Sequence, residues 1–335
     1  MRGFIKQYSV RLSRFIIRIF LKKGILLLFV RLIVNDRNLL HSFMLLFVDR
    51  TDLVVVAQRN LEKKFFCVDE SIVEQVLGGK KLSVFDVGAA GNLEPDLNRY
   101  RHLLNVIAAE PRHDASLIEG ENSEDFILIP KLIGNQEGRA VLNITRKETT
   151  SSIHEPMSTF LNFYTSRNSE RFDLIKKVEF PMTTIATVLN ETSQQVHYLK
   201  LDTQGNELDI LEGLGEYRPI IIKTEISFVP LYKDQTIFFH LAKFLYDMGY
   251  VQFHLSYGSK SSPQNIHENP FVGTLIPMHG DAWFMPDWTR EYGREIIRER
   301  EKEYKALMLI FGLGEICEYA LEEYKVSNNH DDRNV

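Results

Sequence analysis

Apolar and polar positions change rhythm twice along this chain. From about residue 80, short apolar runs rich in β-branched residues alternate with helical or glycine-containing stretches, the pattern of strands and crossover helices in a mostly parallel sheet. Seven runs predict seven strands, at 83–87, 105–109, 126–129, 196–201, 219–226, 251–256 and 282–285. They fit one doubly wound α/β domain without internal repeats. Between the third and fourth runs lies an insert, 132–182, with an amphiphilic strand at 140–145 and an aromatic stretch at 160–164. Such an insert sits above the ligand edge of the sheet and shapes acceptor specificity; the plain alternative is a hairpin and a packed helix with no substrate role.

Before residue 80 the rhythm is helical. Within residues 9–34, Arg11, Arg14, Arg18 and Lys22 recur at spacings of three and four, on one stripe of an otherwise apolar helix. Its uncharged runs are too short to span a bilayer, which takes about 20 apolar residues. Arg18, Lys22 and Lys23 also break the apolar stretch that a cleavable signal needs. The stripe predicts either a helix lying on an anionic membrane surface or a helix packed on its own domain with snorkelling cationic stems. Near the other end, two helices are expected over 290–325, joined at Gly312 and Gly314. The alternating charges of 294–305 predict a solvated helix face, and 327–335 a frayed polar tail.

Composition sharpens this picture where it is uneven. The 335 residues are 44% hydrophobic and 25% charged, which suits a folded protein with a sizeable core. The net charge of -5 conceals a +8 arm at residues 1–40 and an acidic remainder of -13. An acidic body argues against nucleic acid as the main partner. Cys67 and Cys317 stand far apart and outside any CxxC pair, so neither a disulfide framework nor a cysteine zinc site is supported. A reducing, cytoplasmic setting is expected, peripheral at the inner face of the membrane if the arm binds lipid. Asn143-Ile-Thr and Asn190-Glu-Thr match the glycosylation acceptor pattern but are read as unmodified.

The first strand runs into Asp86-Val-Gly88-Ala89-Ala-Gly91-Asn92, and the second ends in Ala109-Glu110-Pro111. Glycines at such a bend let the backbone approach a nucleotide, and an acid about 20 residues on meets ribose hydroxyls. Glu110 follows Gly88 by 22 residues. The turn reads D-x-G-x-x-G and lacks the G-x-G-x-x-G of dinucleotide folds. An acid inside the strand end suits the cationic sulfonium and amino group of S-adenosylmethionine and would repel a pyrophosphate. Asp86, Gly88, Ala89, Gly91, Asn92, Glu110 and Asp202 are therefore the candidate cofactor contacts. A nicotinamide oxidoreductase on the same fold is the weaker reading.

Two segments carry a family resemblance. Tyr198-Leu-Lys200-Leu-Asp202-Thr-Gln-Gly205-Asn-Glu207, continuing to Gly213, resembles the K-I-D-V-E-G-x-E signature of FkbM-type S-adenosylmethionine-dependent methyltransferases. Lys223-Thr-Glu225, with its exit loop to Tyr232, is similar to that family's next strand. Ser151-Ser152-Ile153 and Asp281-Ala-Trp-Phe are also similar to family positions. The family's D-V-G-A-N-x-G turn is altered, with Ala90 where Asn is typical and Gly91 one place early. The resemblance implies a Rossmann-like class I methyltransferase fold over residues 80–287, flanked by a basic helical region at 1–79, a helical extension at 288–326 and the tail at 327–335. It implies O-methylation of a hydroxyl on a sugar, glycan or polyketide-like acceptor. A non-catalytic, membrane-tethered binding module on the same fold is the alternative from another class.

Transfer from a sulfonium to a hydroxyl requires alignment, exclusion of water and removal of a proton. Asp202 and Glu225, at the ends of the fourth and fifth strands, are candidate catalytic carboxylates, and His154 and His254 are candidate bases. Glu207, in a first helical turn, serves the helix dipole equally well. Asp202, Glu207 and Glu225 form an oxygen-only set for magnesium or manganese, a divalent-metal reading that is not favoured because no histidine cluster or calcium-loop spacing accompanies it.

Overall fold

The computed structural model describes residues 68–89, 95–112, 125–161, 169–261 and 276–331. The basic stripe of residues 9–34, Cys67, Gly91, Asn92 and most of the 160–164 aromatic stretch lie outside them. The chain from Val68 onward is one compact unit, so its boundary falls before the expected residue 80.

The chain runs α1 (Glu70–Leu77), β1 (Leu82–Val87), β2 (Leu104–Ala109), β3 (Phe126–Ile129), β4 (Leu132–Gly134), β5 (Gly138–Thr145), β6 (Leu174–Thr184), α2 (Ile185–Thr192), β7 (Tyr198–Leu201), α3 (Glu207–Glu212), β8 (Ile221–Ser227), α4 (Phe238–Asp247), β9 (Tyr250–Ser261), β10 (Ile276–Pro286), α5 (Glu291–Glu299), α6 (Glu301–Ile310) and α7 (Gly314–Asp331). All seven predicted strands form, and they build one sheet in the order β3-β2-β1-β7-β8-β10-β9. The first five are mutually parallel, while β10 runs antiparallel to both β8 and β9. The order reverses at β1, which opens a crevice at the carboxyl ends of β1 and β7.

Each sheet face has its own core. On one, Phe85, Leu199, Ile222 and Phe284 pack with Val188, Ile210 and Leu245 of α2, α3 and α4. On the other, Val84, Tyr198, Ile221 and Met285 pack with Leu77 of α1, Tyr304 and Leu307 of α6, and Leu321 of α7. Both faces of the central strands are covered, which explains why these strands read as continuous apolar runs.

Three elements differ from the sequence expectation. The C-terminal region forms three helices because the chain breaks at Arg300, with φ -137°, before α6 begins. Residues 294–305 are consequently no continuous solvated face: Ile296, Ile297 and Tyr304 are buried, and buried Glu303 pairs with Lys80 at 3.1 Å. The last helix continues to Asp331, beyond residue 326. In the insert, β5 gains a long partner, β6, whose charged residues 176, 177 and 179 mask its strand character in the sequence. With β4 they make a three-stranded sheet, ordered β4-β6-β5. Asn206 fastens that sheet at the start of α3, its side-chain amide donating to the Ile133 carbonyl at 3.0 Å. Among the described residues no helix is long and apolar enough to cross a membrane.

Candidate active site

The carboxyl ends of β1, β2, β7 and β8 open onto one cleft of about 630 Å³, roofed by the insert. This volume lies within the roughly 300–1,000 Å³ of small-molecule sites. Its floor starts at Gly88, whose φ is +80° and whose missing side chain leaves room for the β7 exit. A Cβ there would stand 2.1 Å from the Asp202 carbonyl oxygen. The Gly88 and Ala89 amides both donate to the Ala109 carbonyl, at 3.0 and 3.2 Å, which fixes the turn against β2. A side-chain-free bend of this kind admits a ligand to the backbone.

Two buried acids stand on either side of the bend. Asp86 pairs with Lys200 of β7 at 2.9 Å, its register partner across the parallel strands. The negative charge that the sequence assigns to a cationic cofactor is thus already shared with a lysine. Glu110, at the end of β2, accepts from the Arg112 amide at 3.0 Å and from its guanidinium at 2.7 and 2.9 Å. A carboxylate offers about four acceptor positions, so this arrangement leaves Glu110 one more, on Oε2.

At the other end, Gln204 occupies the left-handed region, with φ +60°, and gathers a polar cluster. Its amide donates to Asp202 at 3.2 Å and to Glu225 at 2.5 Å, while Tyr232 donates to its oxygen at 3.0 Å. His279 of β10 places Nδ1 3.7 Å from Glu225. Burial, with Asp202, Glu207 and Asp281 nearby, pushes the Glu225 carboxyl well above its ordinary value. Burial lowers the His279 imidazole, against the opposing pull of Asp281 and Asp202. A neutral imidazole able to accept a proton therefore stands beside a carboxyl that favours its protonated form.

Strand order and the double-acid cleft mark a fold and an edge, and comparison of the sequence supplies the class. Residues 91–251 match the family described as Methyltransferase FkbM domain. Over these residues, just under half of the chain, the sequence resembles an FkbM-type methyltransferase domain. A search of curated proteins gives no match. Among solved structures, the chain is similar to a 1,6-didemethyltoxoflavin-N1-methyltransferase from Burkholderia thailandensis with bound 1,6-didemethyltoxoflavin and S-adenosylhomocysteine. The identity is 12%, over 73% of this chain and 85% of that one, with a TM-score of 0.28. The protein is a methyltransferase, and its seven-stranded sheet is the Rossmann-like sheet expected of one.

Within the methyltransferase domain, the predicted site residues separate into two groups. Asp86, Gly88, Glu110, Asp202 and Glu225 all line the cleft. Ala89 is buried in the turn behind it. His154 and His254 are not among the lining residues. His154 faces Asp209 and Asp234, and its imidazole is lowered chiefly by burial. His254 rests edge-on against Trp283, with ring centroids 4.8 Å apart. Histidine His279 lies in the cleft instead. It belongs to the first half of β10, which has too few apolar residues to be read as a strand.

Glu207 faces inward toward its own turn. It accepts from the Thr203 amide and hydroxyl at 2.9 and 3.0 Å and from the Gly205 amide at 3.0 Å. Its carboxyl thus shapes the loop after β7, with burial raising it and these donors pulling against burial. That commitment removes Glu207 from the oxygen set considered for a divalent cation. Among the described residues no group of three or more His, Cys, Asp or Glu side chains is placed to hold a metal ion.

Proposed function

We propose that the protein is an S-adenosylmethionine-dependent O-methyltransferase acting on a hydroxyl of a sugar, glycan or polyketide-like acceptor. The observation that carries this reading is a single cleft with a nucleoside-type edge, Gly88 and Glu110, at one end and the Asp202–Gln204–Glu225–His279 cluster at the other. When bound, the cofactor supplies a methyl group already activated on a sulfonium. The Gly88 bend gives room at its methionine end, and the open acceptor position of Glu110 suits a ribose hydroxyl. Gly91 and Asn92 follow in the same sequence motif and are assigned to the cofactor with them.

Proton removal falls to His279. Its lowered basicity keeps it neutral near pH 7, and Asp281 and Asp202 stabilise the imidazolium formed when it takes the acceptor's proton. Gln204 holds Asp202 and Glu225 in fixed positions and is itself held by Tyr232, so the cluster is organised before the acceptor arrives. The test is incubation with methyl-labelled S-adenosylmethionine and a panel of hydroxylated acceptors, with the labelled product examined by mass spectrometry and NMR. Label on an ether oxygen is expected. Label confined to nitrogen or carbon overturns O-methylation.

A further inference from the structure

The charges that line the cleft are distributed unevenly. On the floor, Lys200 pairs with Asp86 and Arg112 with Glu110, and Asp202 adds a further acid. The insert and the β3 exit add Lys131, Lys147 and Arg171. Among the described residues, none of these three has an ion pair within 4.0 Å. Glu148, the acid that the roof contributes to the lining, lies 3.7 Å from Arg112. Burial and neighbouring carboxylates push the Glu225 carboxyl on the opposite wall well above its ordinary value.

The backbone shows where Lys147 and Arg171 hang. Arg112 donates to the Glu148 carbonyl at 3.1 Å, and the Tyr232 hydroxyl, 2.8 Å from the Thr150 carbonyl, shares its one proton between that carbonyl and Gln204. The 148–150 turn therefore bridges from the Glu110 end of the cleft to the Gln204 end. The Lys147 amide donates to the Arg171 carbonyl at 3.0 Å, and the Thr150 hydroxyl donates to it at 2.9 Å. Both cationic side chains are exposed and belong to this roof, and Phe172 beside them packs on Tyr232 with ring centroids 5.8 Å apart. The roof thus carries its positive charge next to the chain of contacts that leads to Glu225 and His279.

S-adenosylmethionine has one more positive than negative charge, so binding it makes the cleft more cationic. With it bound, the five lining cations and the cofactor's two positive charges outnumber the five lining carboxylates and its own. From this we infer that the acceptor is anionic: it presents a phosphate or carboxylate group to Lys147 and Arg171 while its hydroxyl meets the cluster below. Arginine and lysine on the roof suit such a group, the guanidinium by bidentate hydrogen bonds and the ammonium as a point charge. The inference rests on the methyl-transfer reading, because it takes the cofactor's place in the cleft as given.

The test is calorimetry of the full chain saturated with S-adenosylhomocysteine, at fixed ionic strength, titrated with pyrophosphate in one arm and citrate in the other. Saturable binding of at least one polyanion is expected, and the arm that binds tells phosphate from carboxylate. Lys147→Ala/Arg171→Ala is expected to weaken it at least tenfold while changing the affinity for S-adenosylhomocysteine less than twofold. The inference is overturned if neither polyanion binds, or if the double variant binds them as wild type does. It is also overturned if the double variant loses S-adenosylhomocysteine affinity by the same factor, which would assign the two cations to the cofactor. Failure of wild type to bind S-adenosylhomocysteine is a separate result and removes the methyl-transfer reading itself.

Discussion

Gly88→Ala isolates the bend on which the proposed cofactor edge depends. The added Cβ would lie 2.1 Å from the Asp202 carbonyl oxygen and 2.9 Å from its carbon. A carbon–oxygen contact normally settles at about 3.3–3.6 Å, so the ends of β1 and β7 must part by roughly 1 Å. A side chain at φ +80° adds about 1–2 kcal/mol of backbone strain, and forcing a methyl into packed structure about 1–3 kcal/mol. Together the loss is about 2–5 kcal/mol. Gly79→Ala is the internal control: its φ is +85°, but no atom lies within 4 Å of the added Cβ, so only the backbone contribution applies. Urea unfolding measures both losses, and calorimetry with S-adenosylhomocysteine measures binding. Gly88→Ala is expected to be the less stable of the two and to lose ligand affinity, whereas Gly79→Ala retains it. Equal stability of the two variants, with wild-type affinity in Gly88→Ala, refutes the close approach of β1 and β7 as the basis of the site.

The remaining predictions concern single side chains. Burial lowers His197 to about 4, with its Nδ1 accepting from the Ser83 amide at 2.8 Å. The folded state binds this proton more weakly than the unfolded one. The stabilisation is present above the ordinary histidine value of 6.5 and is lost as pH falls toward 4. It amounts to about 3 kcal/mol, and urea midpoints between pH 7 and 4 should fall less steeply in His197→Gln. Lys200→Met removes the ion-pair partner of buried Asp86 and is expected to cost about 3–5 kcal/mol in the same assay. His279→Gln should lower kcat about 10²–10⁴-fold while S-adenosylhomocysteine affinity persists, and His254→Ala should turn over as wild type does. Equal rates in the two histidine variants contradict the placement of the base.

Where structure depends on local pattern, it was legible in the sequence. The seven strands of the large sheet announce themselves by apolar runs, and in the central ones burial on both faces removes the need for polar alternation. Gly88 and Glu110 are likewise placed together by two adjacent strand ends. What remained hidden depends on contacts between distant segments. The pairing of Asp86 with Lys200 follows from strand register across 114 residues, which composition does not reveal. His279 escaped notice because β10 begins among residues as mixed as His279, Gly280 and Asp281, and because the strand enters antiparallel between β8 and β9. Arg300 interrupts a charge pattern that by itself suggests one continuous helix, and the buried Tyr304 shows that the second helix faces the core.

The central claim is that Gly88 and Glu110 form a nucleoside-binding edge for S-adenosylmethionine. Calorimetric titration with S-adenosylmethionine and S-adenosylhomocysteine, using wild type and Glu110→Ala, tests it most directly. Saturable binding to wild type, at one site per chain, and at least tenfold weaker binding to Glu110→Ala are predicted. Wild type that binds neither compound, or a Glu110→Ala variant that binds both as wild type does, would contradict it.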